Sequence, residues 1–130
     1  MGWEQENPAY RQLWTSLWMP DATAEQARAF NELIRQSTTP ANATKLMEMS
    51  FGLDLRDTAK RVRCLTHVLH VRYSAVAPFE EGRMLAGLIS GARFVPFEGR
   101  NHLLLESEPA FLQLAQEIEA LLADADRQGR

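Results

Sequence analysis

Cys64-Leu65-Thr66-His67-Val68-Leu69-His70-Val71 and, further on, Arg93-Phe94-Val95-Pro96-Phe97 are the two stretches whose reading decides the fold. Each is a short apolar run rich in β-branched or aromatic side chains, the pattern of a buried strand. Pro96 has no N–H to give to a ladder, which predicts that its strand lies at a sheet edge. Between the runs, a loop to Pro78 leads into a helix from about Phe79 to Ile89. Met84, Leu85, Leu88 and Ile89 are expected inward, with Gly91 as the C-terminal stop. After the second run a polar loop, Glu98 to Glu106, carries His102. A final helix begins near Ser107 with Pro109 in its first turn. Its stripe is Phe111, Leu114, Ala115, Ile118, Leu121 and Leu122, and the polar tail after Ala123 is expected to fray. Strand–loop–helix–strand–loop–helix is an α/β unit with a right-handed crossover. Parallel sheets are normally covered on both faces, with central strands paired on both sides. Two strands do not complete such a sheet, so more strands are expected from elsewhere.

Residues 1–61 read as helices only. Tyr10, Leu13, Trp14, Leu17 and Trp18 form one stripe, with Pro8 near its start and Met19-Pro20-Asp21 at its end. Thr23 and Gln26 have capping-box spacing ahead of Ala27, Phe30, Leu33 and Ile34. A third helix starts after Thr39 with Pro40 in its first turn, where a missing N–H costs nothing. It carries Ala43, Leu46 and Met47 and stops at Gly52. Asp54 is expected to cap a short helix running to about Lys60.

The 130 residues are 45% apolar and 24% charged, ordinary globular usage that excludes disorder over the whole chain. A net charge of −3 and a pI near 5.6 give no basic footprint for nucleic acid. The one cysteine, Cys64, excludes an internal disulfide framework and a cysteine-based zinc cluster. No apolar run reaches the ~20 residues of a membrane helix. The first six residues lack the basic start and apolar centre of a signal peptide, so the cytoplasm is the expected compartment.

His102 stands out because it follows a strand in a polar loop, Glu98-Gly99-Arg100-Asn101-His102. Functional residues of open α/β sheets gather outside the carboxyl ends of strands, and a loop histidine there can act as a general base. The plain alternative is a surface or locally hydrogen-bonded histidine. The stretch Val62 to Pro78 (with Cys64, His67, His70 and Ser74), then Glu81-Gly82-Arg83-Met84-Leu85 on to Phe94, and finally Gly99-Arg100-Asn101-His102 with Glu106-Ser107-Glu108-Pro109, resembles the acid loop, last strand and histidine loop of bacterial α/β-hydrolase-fold proteins. The preceding helices, including Asn7-Pro8-Ala9-Tyr10-Arg11, resemble part of the lid. The expected fold is therefore α/β: a partial α/β-hydrolase-like sheet of about two parallel strands. Residues 1–61 would form a lid-like helical segment and residues 62–130 the C-terminal part of the hydrolase domain.

The resemblance implies ester or acyl hydrolysis by a serine–histidine mechanism, in which His102 takes the proton of the serine and returns it to the leaving group. It places Ser74 at the acid position, in Val71-Arg72-Tyr73-Ser74-Ala75-Val76-Ala77-Pro78, where the family pattern is Gly-x-x-Asp-x-x-Val-Pro. A serine there cannot supply the negative charge that stabilises an imidazolium, and Val71 replaces the glycine. Glu80 and Glu81 are the nearby acids that could stand in. No Gly-x-Ser-x-Gly occurs; Glu48-Met49-Ser50-Phe51-Gly52 has the serine and second glycine but no preceding strand, which the nucleophile elbow requires.

Other residues carry less. His67 and His70 point to opposite faces of a strand and cannot share a metal. Trp3, Trp14 and Trp18 read as helix packing, or as a hydrophobic lid. Cys64 opens the first strand and reads as inert. Asn42-Ala43-Thr44 is a glycosylation sequon without a secretion signal. Asp124 and Asp126, beside Arg127 and Arg130, read as a solvated end. No cofactor or metal is expected. The expected function is an ester hydrolase by descent, weak or silent as a lone chain, with a possible small ester substrate. The alternative is an interaction module that forms a homo-oligomer or completes a partner's sheet. A third reading makes the chain a piece whose other half is encoded upstream.

Overall fold

A computed structural model describes residues 8–128. Its elements are α1 (Pro8–Trp18), α2 (Ala24–Ser37), α3 (Pro40–Phe51), α4 (Arg56–Ala59), β1 (His67–Val71), α5 (Phe79–Leu88), β2 (Arg93–Phe97) and α6 (Pro109–Gln128). The strands pair in parallel, His67 with Arg93 through to Val71 with Phe97, in a two-stranded sheet. The small α/β class is thus present, and Pro96 lies on an edge strand as its missing N–H requires.

The two sides of the sheet differ. Val71, Val95, Phe97 and Ala110 form a buried cluster, with Leu69, Leu104 and Leu114 packed against it. These odd-numbered strand residues face α6. His67 lies on this side too, 3.6 Å from Glu117, which Arg93 binds at 3.0 Å. The opposite side is aromatic: the Phe79 ring meets His70 at 5.7 Å and Phe94 at 5.3 Å, both edge-on. The strand period of two therefore separates His67 from His70 as expected.

Gly82 is why α5 can lie this close. A Cβ at that position would come within 2.5 Å of the His70 ring. The helix thus rests its glycine on the imidazole, a fit that no larger residue shares.

The N-terminal helices begin where their caps predict. Thr23 and Gln26 form a reciprocal capping box, and Thr39 accepts from the Asn42 N–H ahead of Pro40. α1 and α2 are joined by a buried polar contact the stripes did not reveal: Thr15, 1% exposed, donates its hydroxyl to Asn31 Oδ1 at 2.5 Å.

Several expectations need correction. β1 starts at His67, so Cys64 precedes the strand and is exposed. Leu55, not Asp54, is the N-cap of α4; the Asp54 carboxylate instead accepts from the backbone and guanidinium of Arg56. That guanidinium holds the Asp54 carboxyl down at about 2. α6 continues to Gln128 rather than fraying after Ala123, with Asp124 and Arg127 paired across its last turns. Met84, Leu85, Phe111, Ile118 and Leu122 belong to the expected inward stripes yet are exposed. The physical reason is shared: a two-stranded sheet is too narrow to cover the helices' apolar faces. Trp3 lies outside the described residues.

Replacing Gly82 by Ala should cost about 1–3 kcal/mol of stability, the usual range for overpacking. The loss should shrink in a His70→Ala background, where the ring is gone. Urea unfolding of the two single variants and the double variant measures both.

Candidate functional site

The backbone pairing of the sheet does not stop at the strand ends. Arg72 N–H donates to the Phe97 carbonyl at 2.9 Å and Tyr73 N–H to the Gly99 carbonyl at 3.1 Å. Gly99 takes φ +143°, a conformation open to glycine and strained for other residues. These bonds bring the two loops at the carboxyl ends of β1 and β2 side by side. The outcome is contact between the two predicted site residues: Ser74 Oγ lies 3.0 Å from His102 Nδ1.

The hydrogen bonds around Ser74 assign the proton between them. Val76 N–H and Ala77 N–H point to Ser74 Oγ at 3.2 and 3.4 Å. With its lone pairs so engaged, the hydroxyl directs its own proton to Nδ1, and the imidazole hydrogen sits on Nε2. An aspartate at this position would do the reverse, accepting from Nδ1–H and leaving Nε2 free as a base. Burial holds the His102 ring below its ordinary value, and its electrostatic interaction with the nearby His70 acts in the same direction. The ring is therefore neutral near pH 7.

The helical segment holds the histidine loop from the other side. The Trp18 carbonyl, an orphan at the end of α1, accepts from His102 N–H at 2.7 Å and Leu103 N–H at 3.2 Å. The Trp18 indole meets the His102 ring edge-on at 5.1 Å. Asn101 is fully buried, and its Oδ1 accepts from Asp21 N–H at 2.9 Å. Arg100 pairs with the Asp21 carboxylate and holds it below its usual range. Asn101 and Asp21 had no reading of their own. Their only signal was a small polar residue beside the candidate histidine and another after the helix-ending proline.

The other candidates lie elsewhere. Ser50 is exposed in the last turn of α3 and donates to the Leu46 carbonyl at 2.7 Å; it follows no strand. Glu80 is exposed and paired with Arg83 on α5, and Glu81 is exposed there too. Neither carboxylate bonds His102 among the described residues. His70 Nδ1–H donates to its neighbour's carbonyl, Val71 O, at 2.9 Å. No three His, Cys, Asp or Glu side chains among the described residues converge as a metal site. Nor is any described helix long and apolar enough to cross a membrane.

No family model, curated protein or solved structure matches this chain.

Two outcomes are expected. In Ser74→Asp the His102 pKa should rise by about one unit or more, because an opposite charge within hydrogen-bond reach favours the imidazolium; an NMR titration of the ring protons reads this. In the parent chain, where the folded pKa lies below the unfolded one, the unfolded state takes up the proton first as pH falls. Stability should therefore be full above about pH 6.5 and decline as pH drops through the folded value. His102→Ala should flatten that part of the profile in urea midpoints.

Proposed function

We propose that this chain carries the acid-and-histidine half of an α/β-hydrolase-type site and is catalytically silent toward esters on its own. The observation that carries the reading is the 3.0 Å contact between Ser74 Oγ and His102 Nδ1 at the carboxyl ends of two parallel strands. The segment from β1 to α6 supports it, because strand, acid-position loop, helix, strand and histidine loop follow in the order of that architecture. The chemistry behind the silence is local. A neutral hydroxyl replaces the carboxylate, so an imidazolium formed during catalysis would lack its stabilising charge. Ser50 is remote in kind: a helical serine bonded back to its own helix is no nucleophile elbow. The substrate class of the parent chemistry is a small ester, no cofactor is required, and a cytoplasmic setting suits a chain with one free cysteine.

A second reading makes the chain an interaction module that self-associates or completes a partner's sheet. The observation favouring it is the outer side of β1, which pairs with no strand among the described residues.

Purified protein should turn over p-nitrophenyl acetate and butyrate no faster than its His102→Ala variant. Turnover well above that variant, saturating in substrate, would overturn the silent reading.

A further inference from the structure

A parallel ladder uses alternate residues of each strand. Thr66 O accepts from Arg93 N–H at 3.0 Å, and Arg72 N–H donates to Phe97 O at 2.9 Å. Alternation between those bonds turns the backbone groups of Val68 and His70 toward β2. It turns those of His67, Leu69 and Val71 outward. The Val71 carbonyl receives His70 Nδ1 and the Ser74 N–H; the rest of the row meets no strand among the described residues. The far edge of β2 offers less, because Pro96 has no N–H to donate there.

Both flanks of the open β1 edge are mostly apolar. On the α6 side a cleft of about 390 Å³ is walled by Leu69, Val71, Leu103, Leu104 and Phe111. On the α5 side a cleft of about 670 Å³ is walled by Val68, Leu69, Met84 and Leu85, with the charged Asp54, Arg56 and Glu81 also in its lining. An incoming strand with apolar side chains on both faces therefore fits best. The area asks for such a neighbour as well. The chain exposes 9118 Å², about 2,200 Å² more than the roughly 6,900 Å² typical of a folded monomer of 14.7 kDa. A standard interface removes about 800 Å² from each partner.

We infer that the neighbour is a second copy of this chain, joined β1 to β1 in antiparallel register about a twofold axis at Leu69. This deepens the association reading and rests on it. The outward row is centred on Leu69, so the twofold sets Leu69 opposite Leu69 and His67 opposite Val71 of the other copy. Outward groups then meet outward groups except at the Val71 carbonyl, which His70 Nδ1 and Ser74 N–H already occupy, so the join is carried by the Leu69–Leu69 exchange and by Val71 N–H to the His67 carbonyl. A one-residue slip would set the whole row against groups already used by β2. His67-Val68-Leu69-His70-Val71 also suits both flanks, since Val68 lines one cleft, Val71 the other and Leu69 both. An axis perpendicular to the sheet keeps each α5 beside α5 and each α6 beside α6. The exposed Met84 and Leu85 on one face, and Leu103 and Phe111 on the other, then have apolar neighbours. The result is a four-stranded sheet, β2-β1-β1-β2, covered on both faces. The antiparallel join sends the two Ser74–His102 pairs to opposite ends. The second copy thus completes the sheet without completing the site.

The test is light scattering on the full chain across a wide range of concentration, with Leu69→Pro and, in a Cys64→Ser background, Leu69→Cys. The parent should show twice the single-chain mass. Leu69→Pro should show the single-chain mass with its circular dichroism retained, because the lost N–H points away from β2. Facing Leu69 positions in such a pair stand ≈ 5.5 Å apart between Cα atoms, within disulfide range, so Leu69→Cys should oxidise to a covalent dimer. A single-chain mass at every concentration overturns the self-pairing and leaves the edge to a different polypeptide. A double mass without the Leu69→Cys cross-link overturns this join while association itself stands. If Leu69→Pro does not fold, the cross-link decides alone.

Discussion

The backbone pairing that starts between β1 and β2 and runs on past their ends is what the rest of the molecule hangs from. Inside the strands it fixes which residues face α5 and which face α6. Past them, the bonds from Arg72 N–H to Phe97 O and from Tyr73 N–H to Gly99 O keep two loops in step. Ser74 and His102, far apart in sequence, meet because Ser74 directly follows the last bond of the ladder and His102 lies three residues beyond it, held by the Trp18 carbonyl. The chemistry of the pair then follows from its surroundings. Two backbone N–H groups hold the serine oxygen, so its proton goes to the imidazole and the tautomer is the reverse of the one a carboxylate would impose.

The helical segment is fastened to this frame by polar contacts. An α-helix ends with carbonyls that lack partners. In α1 the Trp18 carbonyl finds two in the histidine loop, and the buried Asn101 takes the Asp21 N–H of the turn that follows. A buried amide that lost such a partner would cost about 1–3 kcal/mol, so these contacts decide where the helices sit. The Thr15–Asn31 bond does the same work between α1 and α2.

Much of this was legible in the chain. The capping box at Thr23, the start of α3 at Pro40, the strand Arg93–Phe97, the edge proline and the opposed histidines all follow from short-range rules of spacing and backbone chemistry. The proximity of Ser74 and His102 came from a resemblance, and the geometry places them in contact. What stayed hidden depends on distant partners. Whether Leu85 or Phe111 is inside depends on how wide the sheet is, and periodicity reports a helix's apolar face without saying whether anything covers it. Asn101 was hidden because a loop asparagine reads the same in a solvated turn as in a buried latch. Composition alone opens β1 three residues early, because Cys64-Leu65-Thr66 has strand composition but only Thr66 O reaches the ladder.

The Trp18 carbonyl has one more consequence. It makes His102 part of the mechanics of the helical layer. The same oxygen ends α1 and anchors the backbone of His102 and Leu103, so the two cannot part company separately. A force that lifts α1 from the sheet releases the loop in the same event, taking the imidazole away from Ser74. Seating of the helices and alignment of the pair are therefore coupled, and the ring's environment reports on α1 as well as on the sheet that carries it.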